Sequence, residues 1–342
     1  MLCIADETEL LIREKIMLKI GQFFKRGVIA AAVTAFAVAG YGVAAKAEFP
    51  EKPIQFIIPF GAGGSADIEG RLLADLMSKI LGTPVVPVNK TGGGGAVTYT
   101  YVKNSKPDGY TIGWNSTSIL TSSSIGNMDF DHTALDHLGQ VEYQPMPIYV
   151  KAGSPYQTLQ DFVDACKAAP GTLKIANSGT GSATHIAAIA IENAIDCKVI
   201  HLPVGIKRRN ATVLSGEADA GVGPLSITNK LTKAKKLHML ALPSAERNSY
   251  APDLPTMNEL GFKAEIDLFR GLSVAKGTPE AIKARLSSAM FGAANSPTFT
   301  SFAKKSGFTV QPLSISEFNA RLVKEGAVVD AVMKKAGIYK SK

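Results

Sequence analysis

The sequence predicts an α/β protein with two lobes, each formed by a parallel βαβ sheet that helices flank. Short apolar runs rich in β-branched residues alternate with helical segments, which is typical of βαβ units. This alternation runs from residue 54 to residue 114 and starts again at residue 159. A chain of 342 residues is long enough for two cores of ordinary size.

The first lobe contains three predicted strands and two predicted helices. A glycine-rich loop at 61–65 follows the first strand, and Gly82 ends the helix that comes next. The glycine turn at 92–95 precedes the second helix, and Pro107-Asp108-Gly109 marks the turn into the third strand. The strands are predicted at 54–59, 85–88 and 110–114, and the first helix at 66–81.

The second lobe repeats this order of strand, loop and helix. Gly64-Ser65-Ala66 in the first lobe and Gly181-Ser182-Ala183 in the second both begin a helix after a strand. From about Pro279 the chain reads as two or three helices, which we expect to pack back on the first lobe. The predicted helices of the second lobe lie at 159–168, 183–194 and about 211–215, and its strands at 173–176 and 199–202.

The N-terminal region has the pattern of a signal peptide. Basic residues precede a nearly uncharged run at 27–45, which ends in Ala45-Lys46-Ala47. We expect export to the periplasm with cleavage after Ala47, and a retained membrane anchor is the alternative. Residues 1–16 carry four acidic residues, the wrong charge for this region, so Met17 is the expected true start.

The composition excludes disorder and a multi-span membrane protein, since 46% of the residues are hydrophobic and 19% are charged. Removing residues 1–47 takes away six Lys/Arg and four Asp/Glu and lowers the formal net charge from +8 to +6. The basic runs at 207–209 and 230–236 are interpreted as solvated surface. A basic protein attracts anions at long range, but we expect no nucleic-acid partner in the periplasm.

Two cysteines, Cys166 and Cys197, remain after removal of the leader. Each stands just before a predicted strand of the same lobe, so a disulfide is plausible in an oxidising compartment. Two free thiols are the alternative. Their separation excludes a CxxC metal or redox site.

The glycine-rich loops favour anion binding, because a helix start offers free backbone N–H groups and a partial positive charge. Ser65 and Ser182 could cap their helices or contact a ligand. Gly61 to Ala66 also matches the dinucleotide motif G-x-G-x-x-A, which makes an oxidoreductase the alternative. However, the second strand ends in Asn89-Lys90 instead of the acid that would hold a ribose.

Other catalytic and metal-binding patterns are absent from the sequence. Neither G-x-S-x-G nor H-E-x-x-H occurs, and His132 and His137, near Asp129 and Asp131, are interpreted as a surface turn. We therefore expect no enzyme activity, no cofactor and no metal.

Several motifs in order resemble the Bug-type substrate-binding proteins of tripartite tricarboxylate transporters. The motifs are Glu48 to Ile54, Pro59 to Gly64 with Asp67, Asn89 with Gly92 to Gly95, Lys106 to Thr111, Pro170 to Leu173, Ser178 to Ser182 with His185, His201 to Pro203, Leu254 to Thr256 with Glu259 and Gly261, and Gly277 to Pro279. Two positions depart from the family pattern. Val204-Gly205-Ile206 replaces the usual Tyr-Lys-Gly, and Phe269-Arg270-Gly271 replaces Trp-x-Gly.

The resemblance implies a monomeric periplasmic-binding-protein fold of the Venus-flytrap kind, type II-like. The resemblance further implies that the protein captures a small organic carboxylate (a di- or tricarboxylate or an aromatic acid) and delivers it to a two-component membrane permease. A periplasmic sensor module would use the same fold and site. The implied lobes are 48–148 plus 271–342 and 149–270, with hinges near 146–151 and 268–272.

By position, the resemblance implies that two loops hold the ligand. Asn115 and Thr117, at the end of a strand, are further candidates, and Arg270 is either a grip on a distal carboxylate or a surface salt bridge. The residues implied by the family are Phe60, Ala62, Gly63, Gly64, Ser65, Asp67, Ser178, Thr180, Gly181, Ser182, His185 and Asp219.

Overall fold

A computed structural model describes residues 49–340, together with Lys15 and Met17. The predicted signal peptide and the cleavage site after Ala47 therefore lie outside the described residues. Within the described part of the chain, no helix is long and apolar enough to cross a membrane.

The described residues form eleven strands in two sheets. They are β1 (Ile54–Ile58), β2 (Val85–Asn89), β3 (Thr111–Ser116), β4 (Leu135–Pro145), β5 (Ile148–Lys151), β6 (Lys174–Asn177), β7 (Ile200–Pro203), β8 (Ala220–Val222), β9 (Leu237–Ala241), β10 (Asp267–Ala275) and β11 (Thr309–Leu313).

Ten α-helices pack around the sheets in the same part of the chain. They are α1 (Ser65–Leu81), α2 (Ala96–Lys103), α3 (Ser118–Ser124), α4 (Leu159–Ala168), α5 (Ala183–Ile195), α6 (Ile206–Ser215), α7 (Leu225–Lys233), α8 (Glu280–Ala294), α9 (Pro297–Ser306) and α10 (Ile315–Lys335). Short 3₁₀ turns lie at Gly93–Gly95 and His132–Ala134.

The first sheet has the strand order β11-β4-β10-β3-β1-β2. Strand β1 pairs in parallel with β2 and β3, as the βαβ pattern predicts. The two long strands β4 and β10 run antiparallel to each other, and β10 also pairs antiparallel with β3. The sheet is therefore mixed rather than wholly parallel, because β4 and β10, the strands that lead to and from the second sheet, lie inside it and run antiparallel to each other.

The second sheet has the strand order β7-β6-β8-β5-β9. Strand β6 pairs in parallel with β7 and β8, and β5 pairs antiparallel with β8 and β9. The chain crosses from the first sheet to the second after Pro145 and returns before Asp267. We call each sheet with its helices a lobe, and the predicted two-lobed α/β fold is confirmed. The exact lobe and hinge boundaries stay a prediction.

The C-terminal segment returns to the first lobe with three helices and one strand. Strand β11 pairs antiparallel with β4 at the edge of the first sheet. A capping box starts α10, since Ser314 Oγ accepts from Glu317 N and a Glu317 carboxylate oxygen accepts from Ser314 N.

His137 lies in the core and not in the surface turn that the sequence suggested. Strand β4 begins at Leu135, so His137 is drawn inside, where its Nδ1 lies 2.5 Å from Ser273 Oγ. Burial lowers the pKa of His137 to about 3, and the neutral ring packs edge-on against Phe318. The surface-turn interpretation is therefore wrong for this residue.

A disulfide joins Cys166 at the end of α4 to Cys197 after α5. Both cysteines are buried in the core of the second lobe. The bond closes a loop across a sequence separation of 31 residues, which restricts the unfolded chain.

We expect loss of this disulfide to lower the free energy of unfolding by about 3–4 kcal/mol, from the entropy of closing a loop of this length. The measurement is urea denaturation of the wild type with and without dithiothreitol. The Cys166→Ala/Cys197→Ala variant is the control, because its unfolding should not respond to dithiothreitol. An unchanged wild-type midpoint after reduction would contradict the expectation.

Candidate functional site

A cavity of about 340 Å³ lies between the two lobes. The loop before α1 and residues of β10 form its first-lobe wall, and the starts of α5, α6 and α7 form the opposite wall. Its lining residues are Phe60, Ala62, Gly63, Gly64, Ser65, Ser178, Ser182, Ala183, Thr184, Ile206, Lys207, Arg209, Asn210, Pro224, Ile227, Leu268 and Arg270. The volume lies within the range of small-molecule sites.

Asp67, one turn into α1, shapes the first-lobe loop. Its carboxylate accepts hydrogen bonds from Gly63 N at 3.0 Å, Arg71 Nε at 2.8 Å and Asn89 Nδ2 at 2.9 Å. Gly63 has φ +82°, a conformation that glycine adopts without strain. Burial alone would raise the pKa of Asp67, but these hydrogen bonds outweigh burial and lower it. Asp67 therefore holds the loop as an anion and does not line the cavity.

Arg270 on β10 reaches across to α1 from the floor of the cavity. Its Nη2 donates to Ser65 Oγ at 2.8 Å, and its Nε lies 2.6 Å from Glu69 Oε2 and 3.2 Å from Glu142 Oε1. The residue as a whole is only 1% exposed. The alternative of a surface salt bridge is therefore wrong, since Arg270 belongs to a buried ion cluster with Glu69 and Glu142.

Glu69 and Glu142 share this one guanidinium. Ionising both carboxyl groups costs free energy, because two like charges then lie close together in a buried place. Burial, followed by repulsion from Glu69, raises the pKa of Glu142 well above its ordinary value despite the opposing effect of Arg270. Glu69 and Glu142 together balance the charge of Arg270 within the protein. Arg270 Nη1 has no hydrogen-bond partner in the described part of the chain.

The second-lobe loop at 178–182 is held in place by hydrogen bonds to the first turn of α5. Ser182 Oγ accepts from His185 N at 3.3 Å, and Gly181 N donates to His185 Nδ1 at 3.2 Å. Burial and the neighbouring His201 lower the pKa of His185 to about 4, against the effect of Glu192. A neutral His185 can accept this bond, so it positions the loop.

Arg209 on α6 is a cavity residue that sequence reasoning missed. Its basic neighbours suggested a solvated surface, but its side chain is buried at 3% exposure, so that interpretation is wrong for Arg209. Nη1 donates to Ser178 Oγ at 2.6 Å and Nε to Tyr149 Oη at 3.2 Å. The missed signal was the helical spacing: α6 turns Arg209 inward and leaves Arg208 exposed.

Eight of the residues proposed from sequence line the cavity. They are Phe60, Ala62, Gly63, Gly64, Ser65, Ser178, Ser182 and Arg270. Thr180 lines a more open space of about 670 Å³ that shares Phe60, Ser178, Ile206 and Lys207 with the cavity.

The other proposed residues have structural partners outside the cavity. Asn115 is buried on β3 and contacts Ser273, while Thr117 Oγ1 donates to Asp267 O at 3.1 Å. Asp219 accepts from Lys174 N at 2.8 Å, at the start of β6. Gly181 O accepts from Thr121 and Ser122 of the first lobe.

Among the described residues no group of His, Cys, Asp and Glu side chains is arranged to hold a metal ion. Of the residues that the structure describes, no Asp or Glu lines the cavity, while two buried arginines do. A two-lobed fold with a cavity between the lobes is typical of the class of solute-binding proteins.

The family within this class follows from comparison with known proteins. The family described as "Tripartite tricarboxylate transporter family receptor" matches residues 70–338. The chain belongs to this receptor family, whose members bind substrates and are not enzymes. The alternative of a dinucleotide-dependent oxidoreductase is therefore wrong.

Individual relatives are similar to this chain over nearly their whole length. The UPF0065 protein in the gbd 5′ region of Cupriavidus necator is 28% identical and covers 93% of this chain and 98% of its own. The periplasmic binding protein BugD is 27% identical with a TM-score of 0.80, over 86% of this chain and all of its own. MatC of Rhodopseudomonas palustris, solved with malate, is similar in fold, with a TM-score of 0.76 and 22% identity over 83% of this chain and 99% of its own.

We expect Asp67→Asn to lower the free energy of unfolding by about 1–2 kcal/mol at pH 7, because charge-assisted hydrogen bonds to the loop are weakened. The pKa of Asp67 is lower in the folded protein than its ordinary value of 3.8. Its contribution is therefore present above that value and is lost as the pH falls through the lower, folded-state pKa.

The measurement is urea denaturation of both proteins at pH 7 and at decreasing pH below about 4. The difference between wild type and variant should shrink in the acidic range. Asp75→Asn is the matched control, since Asp75 pairs with Lys79 in an exposed i,i+4 bridge on the same helix. A difference that stays constant into acid would contradict the role given to the Asp67 carboxylate.

Proposed function

We propose that this protein is a periplasmic receptor that captures a small organic carboxylate between its lobes and delivers it to a two-component membrane permease. The observation that carries the proposal is the cavity, which both lobes line. Its described lining contains two buried arginines and no acidic residue. Such a cavity suits an anion and disfavours a cation.

The two loops would bind the ligand from opposite sides. In the first lobe the contacts would come from Phe60 and from residues 62–65, and in the second from Ser178 and from residues 180–182. Both loops precede helix starts, whose free N–H groups favour a carboxylate. Asp67 and His185 would act by holding these loops in shape, as their hydrogen bonds to Gly63 and Gly181 support.

Closure of the lobes would trap the ligand and present one surface to the permease. Hinges at 146–151 and 268–272 would allow this motion, since the chain passes between the two sheets near both segments. The lobes are close at the cavity, because a Cβ placed on Gly64 would lie 2.7 Å from Ile206 Cγ2.

Three further points support a carboxylate and a periplasmic location. The family is that of the receptors of tripartite tricarboxylate transporters, BugD is a periplasmic binding protein, and MatC of similar fold was solved with malate. The signal-peptide pattern before Glu48 agrees with export.

We expect Gly64→Ala to weaken binding of the best carboxylate by about tenfold, because the added methyl group meets Ile206 of the opposite lobe and overpacks the closed form. The measurement is isothermal titration calorimetry, after a thermal-shift screen of mono-, di- and tricarboxylates. Gly61→Ala, in the same loop, should bind like the wild type, since a Cβ there would have no neighbour within 4 Å.

The double variant Gly64→Ala/Ile206→Ala should regain most of the lost affinity, because it removes the side chain that the new methyl group meets. Equal binding by Gly64→Ala and wild type would contradict the proposal that the lobes close over the ligand as in this structure. A chain that binds no carboxylate of any class would contradict the proposed function itself.

A further inference from the structure

We propose that Arg209 is the charged anchor of the cavity, and that the ligand is an acid with one carboxylate and an uncharged, largely apolar body. The inference rests on the proposed function and narrows it to a substrate class. It depends on the charges that line the cavity and on the apolar side chains beside them.

Arg209 is a buried cation without an anionic partner. Its hydrogen bonds go to Ser178 Oγ and Tyr149 Oη, and no ion pair with Asp or Glu forms within the described part of the chain. Burial raises the pKa of Tyr149 against the effect of Arg209, so the phenol is neutral. An unpaired buried guanidinium is costly, and a bound carboxylate would remove that cost.

The protein makes room for this guanidinium beside the cavity. A Cβ on Gly223 would lie 2.6 Å from Arg209 Nη2, so any other residue there would displace the group. The planar fork of arginine suits a carboxylate, which can accept two parallel hydrogen bonds. Ser178 thus orients the Arg209 guanidinium, and no acidic side chain in the described part of the chain balances its charge.

Arg270, the second buried arginine, is paired with acidic side chains of the protein and is not available as a counter-charge for a ligand. Its guanidinium forms ion pairs with Glu69 and Glu142, so its charge is balanced within the protein. Its unpartnered Nη1 can still donate one hydrogen bond to an uncharged ligand oxygen. Arg209 is therefore the buried lining cation whose charge no acidic side chain balances in the described part of the chain, which matches one carboxylate.

Apolar side chains from both lobes form much of the remaining lining. Phe60 and Leu268 on one side face Ile206, Pro224 and Ile227 on the other. Lys207 also lines the cavity but is exposed, so a second or third carboxylate would have no buried counter-charge among the described lining residues. Its burial would carry a large cost. An ammonium group would also be unpaired, because none of the lining residues that the structure describes is acidic.

The test compares matched ligands by isothermal titration calorimetry. Benzoate and 4-methylpentanoate are the monocarboxylate probes, and succinate and citrate carry one and two additional carboxylates. Benzamide replaces the carboxylate of benzoate with an uncharged amide. Leucine adds an ammonium group to 4-methylpentanoate. We expect a monocarboxylate to bind at least about tenfold tighter than succinate or citrate, with no measurable binding of benzamide or leucine.

Substitution of Arg209 tests the anchor. Arg209→Gln should weaken the best monocarboxylate about thirtyfold or more, the loss expected for a hydrogen-bonded charge pair. Arg208→Gln is the matched control, because Arg208 is the exposed neighbour on the same helix, pairs with Glu217 and does not line the cavity. Its substitution should change the affinity less than about threefold. The melting temperature of ligand-free Arg209→Gln should equal or exceed that of the wild type, which a structural role would not produce.

Arg209→Lys keeps the charge and should retain the preference for benzoate over benzamide, with partial affinity, even if the glutamine variant folds poorly. Tighter binding of succinate or citrate would overturn the inference and leave the proposed function intact. Unchanged monocarboxylate binding by Arg209→Gln would overturn the anchor role. If no carboxylate shows measurable binding, the proposed function is overturned.

Discussion

The buried ion cluster around Arg270 is the interaction on which the site depends. It joins β10 to α1 through Glu69 and Ser65, and β4 to β10 through Glu142. Ser226 of the second lobe donates to Glu69 Oε1 at 3.1 Å, so the cluster also connects the lobes. Because removal of one member of a buried ion pair leaves an uncompensated charge, these elements are strongly coupled.

The cluster also determines the electrostatics of the cavity. It fixes the side chain of Ser65 at the start of α1 and neutralises Arg270 within the protein. Arg209, which has neutral partners, is left as the source of buried charge for an anion. One arginine therefore holds the structure together, while the other is available for ligand. A receptor can tolerate the cost of an unpaired charge where the charge serves binding.

Much of the architecture could be predicted because it follows from local patterns. The apolar runs at β1 and β6, and the glycine-rich loops that follow them, are visible in sequence and form where they were expected. The long strands β4 and β10 were not predicted as elements. Their polar residues, Glu142 and Arg270 among them, are buried by pairing with one another, which no local pattern reveals.

The sequence by itself determined the order of the βαβ units, the two Gly-Ser-Ala helix starts and the family resemblance. These depend on residues that are close in the chain, where backbone preference and hydrophobic period act. Only the tertiary structure decided which charges are compensated: Arg270 acquires Glu69 from a helix 201 residues away, and Arg209 acquires no acid in the described chain. Charge compensation depends on distance in space and on burial, and neither can be read from positions along the chain.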